Sequence, residues 1–284
     1  MQRRMVAALL ALLALGGCDP FENPGEPSVP ENVVNYAALG ASDALGIGGR
    51  TPCFPFTDCT DGTGYVQQVT RRLRADGKDV TLTNLGIPGA VLSPETEAIG
   101  DALGLDIFDD FLEREMPFVP PNATLVTVFA GTNDVNTIGR ALREGQGGSD
   151  VDAYIAGQVE RFGRDLRTLL TGIRARAPGA RIIALNLPNL AALPYVSGQS
   201  AGDRRRLQQL AVGFSAQVSA LTSDNVIVID LMCDGTFYNP ASLSSDGFHP
   251  SDAGYTRLAD RVYAAATTGT APLPQATCSF MSVI

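Results

Sequence analysis

The chain of 284 residues contains one histidine, and the residues around it have the types and spacing of a proton-transfer site. His249 follows Asp246 by three residues in the segment Asp-Gly-Phe-His-Pro. An imidazole beside a carboxylate can act as a general base that takes the proton of an attacking hydroxyl. Such a base also needs a nucleophile and hydrogen-bond donors for the oxyanion that forms.

Three other segments supply candidates for these roles, and each comes at the end of an apolar run. They contain Ser42 in Gly-Ala-Ser-Asp, Gly89 in Gly-Ile-Pro-Gly and Asn133 in Gly-Thr-Asn-Asp. Each segment also has a plainer interpretation: a serine that caps a turn, a Gly-Pro turn, and an asparagine that opens a loop. Their common position at the ends of successive runs favours a shared site.

The apolar runs are short and rich in β-branched residues, which is typical of strands buried on both faces. Strands are predicted at 33–39, 80–85, 125–130, 181–185 and 226–231. Helices are predicted at 65–74, 151–177, 203–221 and 252–266. Strands that alternate with helices predict an α/β fold, a three-layer α/β/α sandwich around a five-stranded parallel sheet.

The positions of the candidate residues fit this fold, because open parallel sheets bind ligands at the carboxyl ends of their strands. Two stretches, 90–121 and 135–150, are longer than ordinary connections. Long insertions after strand ends usually build or cover a ligand site. We therefore expect both stretches to border the site.

The ordered set of serine, glycine, asparagine and Asp-x-x-His resembles the SGNH, or GDSL-type, hydrolase family. The most specific segments are Gly-Thr-Asn-Asp at 131–134 and Asp-Gly-Phe-His-Pro at 246–250, and the resemblance extends from about residue 33 to about residue 266. It implies the SGNH hydrolase fold, which is flavodoxin-like. It also implies hydrolysis of acyl esters through an acyl-enzyme, with no cofactor and no metal.

The resemblance assigns a role to each candidate residue. Ser42 would be the nucleophile, and its own backbone N–H one oxyanion donor. Gly89 would supply a second backbone N–H to the oxyanion hole, and Asn133 a side-chain N–H. His249 would be the general base and later the acid that protonates the leaving alcohol, and Asp246 would orient the imidazole.

The chain departs from the family pattern at its first segment. That segment usually reads Gly-Asp-Ser, whereas here Ala41 precedes the serine and Asp43 follows it. Asp43 could replace the missing carboxylate structurally. The second segment offers two glycines, Gly86 and Gly89, and Gly89 is chosen because the family's glycine follows a turn.

The N-terminus has the order of a signal peptide: two arginines, an apolar stretch at 5–15 and small residues before Cys18. The apolar stretch is too short to span a membrane as a helix. Leu-Gly-Gly-Cys resembles the bacterial lipobox, in which the cysteine is lipidated; an ordinary signal peptide ending near a cysteine is the alternative. We predict a signal peptide at 1–17, lipidation of Cys18, and an exported lipoprotein at the cell envelope.

Composition separates the rest of the chain into a stalk and a domain. Residues 18–32 contain four prolines, three glutamates and no apolar periodicity, which predicts a flexible stalk, with the hydrolase domain at 33–284. The formal charge is −9, and it becomes −11 when residues 1–17 take away two arginines. This charge argues against a nucleic-acid partner. The membrane, through the lipid anchor, and an ester substrate are the predicted partners.

Four cysteines remain once Cys18 is assigned to lipid, and three pairings of them are possible. We favour Cys53–Cys59 together with Cys233–Cys278, in an oxidising compartment. The second disulfide would tie the C-terminal tail to the loop that leads to the histidine. A metal site is disfavoured, because the chain has no second histidine and the cysteine spacing is not that of a zinc site.

Two apolar segments adjoin the predicted site. Residues 186–195 either line an acyl pocket or pack against the first insertion, which adds apolar residues at 107–112 and 116–119. The chain has no tryptophan, which disfavours a long polysaccharide groove. We predict a serine esterase or lipase for esters of small or lipid-like alcohols. A carbohydrate O-deacetylase and a lipid-anchored binding protein without catalysis are the alternatives.

Overall fold

The computed structural model describes residues 31–105 and 107–282. The predicted signal peptide, Cys18 and nearly all of the predicted stalk therefore lie outside the described residues. None of the helices in the described ranges has the length and apolar character needed to cross a membrane.

Parallel strands form the centre of the described part, in the order β2-β1-β3-β4-β5. Their bounds are β1 Val33–Gly40, β2 Asp79–Asn84, β3 Leu125–Phe129, β4 Arg181–Leu185 and β5 Ile227–Ile229. The central strand β3 is buried along its whole length, as expected for a nearly continuous apolar run covered on both faces. The predicted five-stranded parallel sheet is confirmed, with strand ends within two residues of those predicted.

Eight α-helices and several short 3₁₀ turns connect or follow the strands in the described ranges. The helices are α1 Ser42–Leu45, α2 Tyr65–Ala75, α3 Pro94–Ala102, α4 Phe111–Arg114, α5 Thr132–Arg143, α6 Val151–Arg176, α7 Ala201–Ser219 and α8 Asp252–Thr268. The 3₁₀ turns are Met116–Phe118, Leu190–Ala192, Pro194–Val196, Ala220–Asp224, Pro240–Ser242 and Ser279–Met281. The four predicted helices correspond to α2, α6, α7 and α8.

The stretches 90–121 and 135–150 contain helices that the sequence did not predict. Helices α3 and α4 occupy part of the first stretch, and α5 occupies most of the second. Helix α5 buries Val135, Ile138 and Leu142, whose spacing places them on one face. The helix begins before the stretch does, at Thr132, so the asparagine of the third segment lies in its first turn rather than in a loop.

The strand order places a topological switch point at β1. The chain leaves β1 toward β2 on one side and returns to β3 on the other, so right-handed crossovers put the connecting helices on opposite faces. Helix α2 packs against α8, while α7 packs against both α5 and α6. Phe162 of α6 stacks on Phe214 of α7, with ring centroids 4.1 Å apart. Ligands bind at the carboxyl ends of strands beside such a switch point, here between β1 and β3.

Both predicted disulfides are present. Cys53–Cys59 closes a short loop after α1, and its Cα atoms are 5.9 Å apart. Cys233–Cys278 joins the segment after β5 to the C-terminal tail, with Cα atoms 5.8 Å apart. The predicted pairing is therefore confirmed.

Candidate active site

Three predicted site residues form one hydrogen-bonded chain at the carboxyl edge of the sheet. Ser42 opens α1 directly after β1, and its Oγ lies 2.8 Å from Nε2 of His249. Nδ1 of the same imidazole lies 2.6 Å from Oδ2 of Asp246. The fold thus brings Ser42 to a histidine 207 residues away in the sequence. A hydroxyl, an imidazole and a carboxylate in this order can generate a serine nucleophile.

Asp246 is held by hydrogen bonds from its own turn. Its Oδ1 accepts from the backbone N–H of Phe248 at 2.8 Å, from that of His249 at 2.9 Å, and from the Ser244 hydroxyl at 2.7 Å. Burial raises the pKa of Asp246, but the hydrogen bonds from His249, Phe248 and Ser244 outweigh it and lower the pKa to about 2. The carboxylate is therefore ionised at neutral pH. It favours the tautomer that donates from Nδ1 and leaves Nε2 as an acceptor for the serine proton.

Helix α8 fixes the segment that carries His249. The Ser251 side chain caps the first turn of this helix. Tyr255, which is buried, donates its hydroxyl hydrogen to the Ile47 carbonyl at 2.6 Å. The Ile47 N–H in turn donates to the Ser42 carbonyl at 3.0 Å. The serine turn and the histidine segment are therefore tied together through α8.

Hydrogen-bond donors lie where the sequence predicts an oxyanion hole. Gly131 has φ +109°, which lets β3 turn at once into α5 and places Asn133 in its first turn. Asn133 donates one Nδ2 hydrogen to the Ala90 carbonyl at 2.9 Å, which leaves its second hydrogen for a ligand. No group in the described ranges accepts from the backbone N–H of Ser42 or of Gly89. Three donors are thus available to a ligand.

The choice between the two glycines of the second segment has a structural basis. The Gly86 N–H already donates to Oδ1 of Asn84 at 3.2 Å. Gly89 has φ +78°, a conformation that glycine adopts readily, and it lines the same cavity as Asn133. These observations support Gly89 as the backbone donor.

The two unusual neighbours of the serine are both buried. Ala41 is 3% exposed and Asp43 is 6% exposed. Burial raises the pKa of Asp43, and the nearby His249 acts in the opposite direction. His249 acts on Asp43 through its charge, because its two ring nitrogens bond to Asp246 and Ser42. Its structural replacement of the missing aspartate stays a hypothesis.

A buried carboxyl group beneath the site was not predicted from the sequence. Glu115, which follows α4, accepts a hydrogen bond from the Gly40 N–H at 2.9 Å through Oε2. Its Oε1 is buried and has no partner in the described ranges. Burial raises the pKa of Glu115 well above its usual value, although the N–H groups of Gly40 and Ile87 act against this. Glu115 therefore braces the end of β1, two residues before the serine.

A second buried acid, Asp134, links α5 to the segment that follows Gly89. Its carboxyl group accepts from the Leu92 N–H at 3.0 Å. Burial raises the pKa of Asp134 to about 7, against hydrogen bonds from Leu92 and Thr96 that lower it. Asp134 thus holds the segment after Gly89 against α5, next to the donors of Gly89 and Asn133.

A cavity of about 480 Å³ adjoins the donors. It is lined by Gly89, Leu105, Ile107, Asn133, Asn136, Thr137, Arg140, Arg143, Tyr195 and Gln199. Of the apolar segment 186–195, only Tyr195 lines it within the described ranges, because Leu187, Leu190 and Leu193 are buried in the core. The first predicted insertion, 90–121, contributes Leu105 and Ile107. The lining is thus more polar than the sequence predicted.

One acidic cluster in the described ranges has carboxylate oxygens close enough for a cation. Oxygens of Glu97, Asp109 and Asp110 lie within 4.8 Å of one another. Asp109 pairs with Arg114 at 3.0 Å, and Asp110 caps α4 by accepting from the Glu113 N–H. Two of the three acids therefore already have protein partners, and we assign no metal to the cluster.

Solved structures of other proteins share the fold of this chain. The chain resembles an extracellular lipase from Streptomyces rimosus (19% identity, TM-score 0.55, covering 82% of this chain and 99% of that one). It resembles a lipase from a goat rumen metagenome (20%, TM-score 0.56, 82% and 97%) and an acetyl xylan esterase from Geobacillus stearothermophilus (17%, TM-score 0.51, 87% and 100%). At these identities the likeness shows the fold alone.

Sequence comparison supplies the family. No match is found among curated proteins. The model of the GDSL-like lipase/acylhydrolase family, however, matches residues 36–257, which is well over half of the chain and includes every predicted catalytic and oxyanion-hole residue. The chain therefore belongs to the GDSL-like lipase/acylhydrolase family of hydrolases.

Proposed function

We propose that this protein is a serine esterase that hydrolyses carboxylic esters through an acyl-enzyme on Ser42. The observation that carries the proposal is the continuous hydrogen-bonded chain from Ser42 through His249 to Asp246, with distances of 2.8 and 2.6 Å. A binding protein would need no such chain beside three free donors. Catalysis is therefore favoured over binding alone.

The geometry accounts for each step. Ser42 Oγ attacks the ester carbonyl carbon while His249 Nε2 takes its proton, and Asp246 stabilises the imidazolium that forms. The N–H groups of Ser42, Gly89 and Asn133 receive the oxyanion. The intermediate collapses to the acyl-enzyme as His249 protonates the departing alcohol. Water then attacks the acyl group with the same histidine as base, and Ser42 is released.

The cavity lining bears on the substrate. Uncharged polar side chains of Asn136, Thr137 and Gln199 face a space that the sequence predicted to be apolar. A carbohydrate O-deacetylase is therefore the second candidate, since its substrate would offer hydroxyl groups to these side chains. Hydrolysis of an ester of a small or lipid-like alcohol remains the first candidate function, because Leu105, Ile107 and Tyr195 offer apolar contacts in the same cavity.

We also propose that lipidation of Cys18 holds the enzyme at the cell envelope, on the basis of the Leu-Gly-Gly-Cys segment and the proline-rich residues after it. A Cys18→Ser variant would then not reach the membrane fraction. Its unchanged presence there would contradict the proposal.

The test of function is hydrolysis of 4-nitrophenyl esters from acetate to palmitate. Wild type is compared with Ser42→Ala and with Ser223→Ala, a control at an exposed serine that bonds only to its own turn. We expect Ser42→Ala alone to lose activity, and the preferred chain length to separate a lipase from a deacetylase. Ester hydrolysis that persists in Ser42→Ala would refute the proposed mechanism.

A further inference from the structure

The cavity beside the oxyanion donors carries positive charge in an acidic protein. Arg140 and Arg143 both line it, whereas the chain has a formal charge of −9. No carboxylate lines the cavity among the residues that the structure describes, a set that leaves out Asp106. Among the described residues, the charged side chains that line the cavity are thus opposite in sign to the net charge of the molecule.

The two arginines differ in their partners. Arg140 forms an ion pair with Glu144 one turn later on the chain, with 2.8 Å between nitrogen and oxygen. Arg143 has no acidic partner within 31–105 and 107–282. An exposed arginine on a helix usually needs no explanation, but this one borders a cavity that already contains two proposed oxyanion donors, Gly89 and Asn133.

Neighbouring side chains add hydrogen-bond donors to the same wall. Tyr195 donates its hydroxyl hydrogen to Oδ1 of Asn136 at 2.6 Å, which leaves the Asn136 amide nitrogen as a donor. Burial raises the pKa of Tyr195, and the hydrogen bond to Asn136 and the nearby Arg143 guanidinium act against this. Tyr195 also packs on Phe248, with ring centroids 4.9 Å apart, which connects this wall to the histidine segment.

From this arrangement we infer that the natural ester carries an anionic oxygen group, a carboxylate or a phosphate, and that Arg143 binds it in the cavity beside Asn133. A guanidinium presents two parallel N–H groups to such an anion, and the Asn136 amide lies in the same cavity. The inference rests on the proposed esterase function and narrows its substrate class.

Two pairs of esters test this inference and locate the anion. Mono-4-nitrophenyl glutarate carries a carboxylate on the acyl part, and 4-nitrophenyl pentanoate is its neutral counterpart of equal acyl length. Butyrylglycerol phosphate carries the anion on the alcohol, and butyrylglycerol is its neutral counterpart. Full-length wild type is compared with Arg143→Gln and Arg143→Lys. The control is Arg167→Gln, which removes an exposed arginine of α6 that does not line the cavity.

We expect wild type to prefer the anionic member of at least one pair. Arg143→Gln should lower kcat/KM for that ester about fivefold, mainly through KM, because an exposed charge pair has this order of strength. Arg143→Lys should retain part of the preference, 0.5 M NaCl should weaken it, and Arg167→Gln should leave it intact. Arg167→Gln should leave hydrolysis of the neutral esters unchanged, and Arg143→Gln should lower hydrolysis of the neutral esters less than hydrolysis of the anionic ones.

Equal or better hydrolysis of the neutral member in both pairs would overturn the inference and leave the esterase proposal standing. An equal loss in Arg143→Gln and Arg167→Gln would also overturn it, because the effect would then be one of overall charge. Failure to hydrolyse any of the four esters, with activity on other members of the 4-nitrophenyl series from acetate to palmitate, would overturn the inference alone. Failure on that whole series as well would refute the esterase proposal, and the inference with it.

Discussion

Replacement of Asn133 isolates one oxyanion donor from the rest of the site. Asn133 lies in the first turn of α5, with one amide hydrogen on the Ala90 carbonyl at 2.9 Å and the other free for the substrate. Asn133→Ala removes the donor. Asn133→Asp keeps the shape of the side chain, removes both donors, and puts a negative charge where the oxyanion forms.

The expected loss follows from the number of donors. One donor of this kind contributes ~3 kcal/mol to the transition state, so Asn133→Ala should lower kcat by about 10²-fold with little change in KM. Asn133→Asp should lower kcat further, because its charge repels the oxyanion. The Ala90 carbonyl loses a hydrogen bond in both variants, which costs about 1 kcal/mol of stability.

Steady-state hydrolysis of a 4-nitrophenyl ester measures both parameters, and thermal unfolding separates catalysis from folding. Asn122→Ala is the control, since Asn122 precedes β3 at the opposite end of the strand from the site, and its backbone carbonyl, which the substitution keeps, accepts from the Asn35 side chain. A change in KM with kcat intact would refute the assignment of Asn133 as an oxyanion donor. So would activity in Asn133→Asp above that in Asn133→Ala.

Three further substitutions test the surroundings of the site. Asp246→Asn should lower kcat about 10²-fold or more at every pH from 5 to 9, because a carboxylate whose pKa is about 2 is ionised throughout that range. Because folding lowers the pKa of Asp246, the folded wild type should lose stability as the pH falls from about 4 to about 2 and this carboxylate takes up a proton. Asp246→Asn has no such group, so its unfolding should show a smaller loss over the same pH range. Glu115→Leu should cost roughly 1–3 kcal/mol of stability and lower kcat, because it leaves the Gly40 N–H unpaired. Glu115→Gln keeps an acceptor for that N–H, so its stability and kcat should be close to those of wild type. Equal denaturation midpoints for the two variants would show that Glu115 does not brace the end of β1. The double variant Cys233→Ala/Cys278→Ala should lose up to about 4 kcal/mol of its free energy of unfolding, which is the entropic contribution expected for a closed loop of 45 residues. An unchanged melting temperature would show that this disulfide contributes nothing to stability.

The parts of the fold that the sequence predicted are those decided by local pattern. Strands β1 and β3 are nearly continuous apolar runs, interrupted only by Asn35 and Thr127. Short runs of this kind are typical of strands that are covered on both faces of a parallel sheet. Asp246 and His249 are three residues apart, so a single local turn brings their side chains into contact and no distant segment is needed. Ser42 was placed by its position at a strand end, since parallel strands present their carboxyl ends at one edge.

The parts that escaped prediction depend on contacts between distant segments. Helix α5 was obscured because its first turn contains Asn133 and Asp134, residue types that favour loops when their partners are unknown. Asp134 is buried only because Leu92 offers an N–H from another segment. Glu115 lies in the run Leu-Glu-Arg-Glu, which has the composition of an exposed helix end, and nothing in that run indicates a contact with Gly40, 75 residues away.

The nucleophilic role of Ser42 is the central claim, and covalent trapping tests it most directly. A fluorophosphonate reacts with an activated serine and leaves a tetrahedral adduct whose oxygen occupies the place of the oxyanion. Peptide mass spectrometry of the labelled wild-type protein should find the adduct on Ser42, and labelling should be much slower in His249→Ala. An adduct on a different residue, or full esterase activity after Ser42 has been labelled completely, would contradict the account.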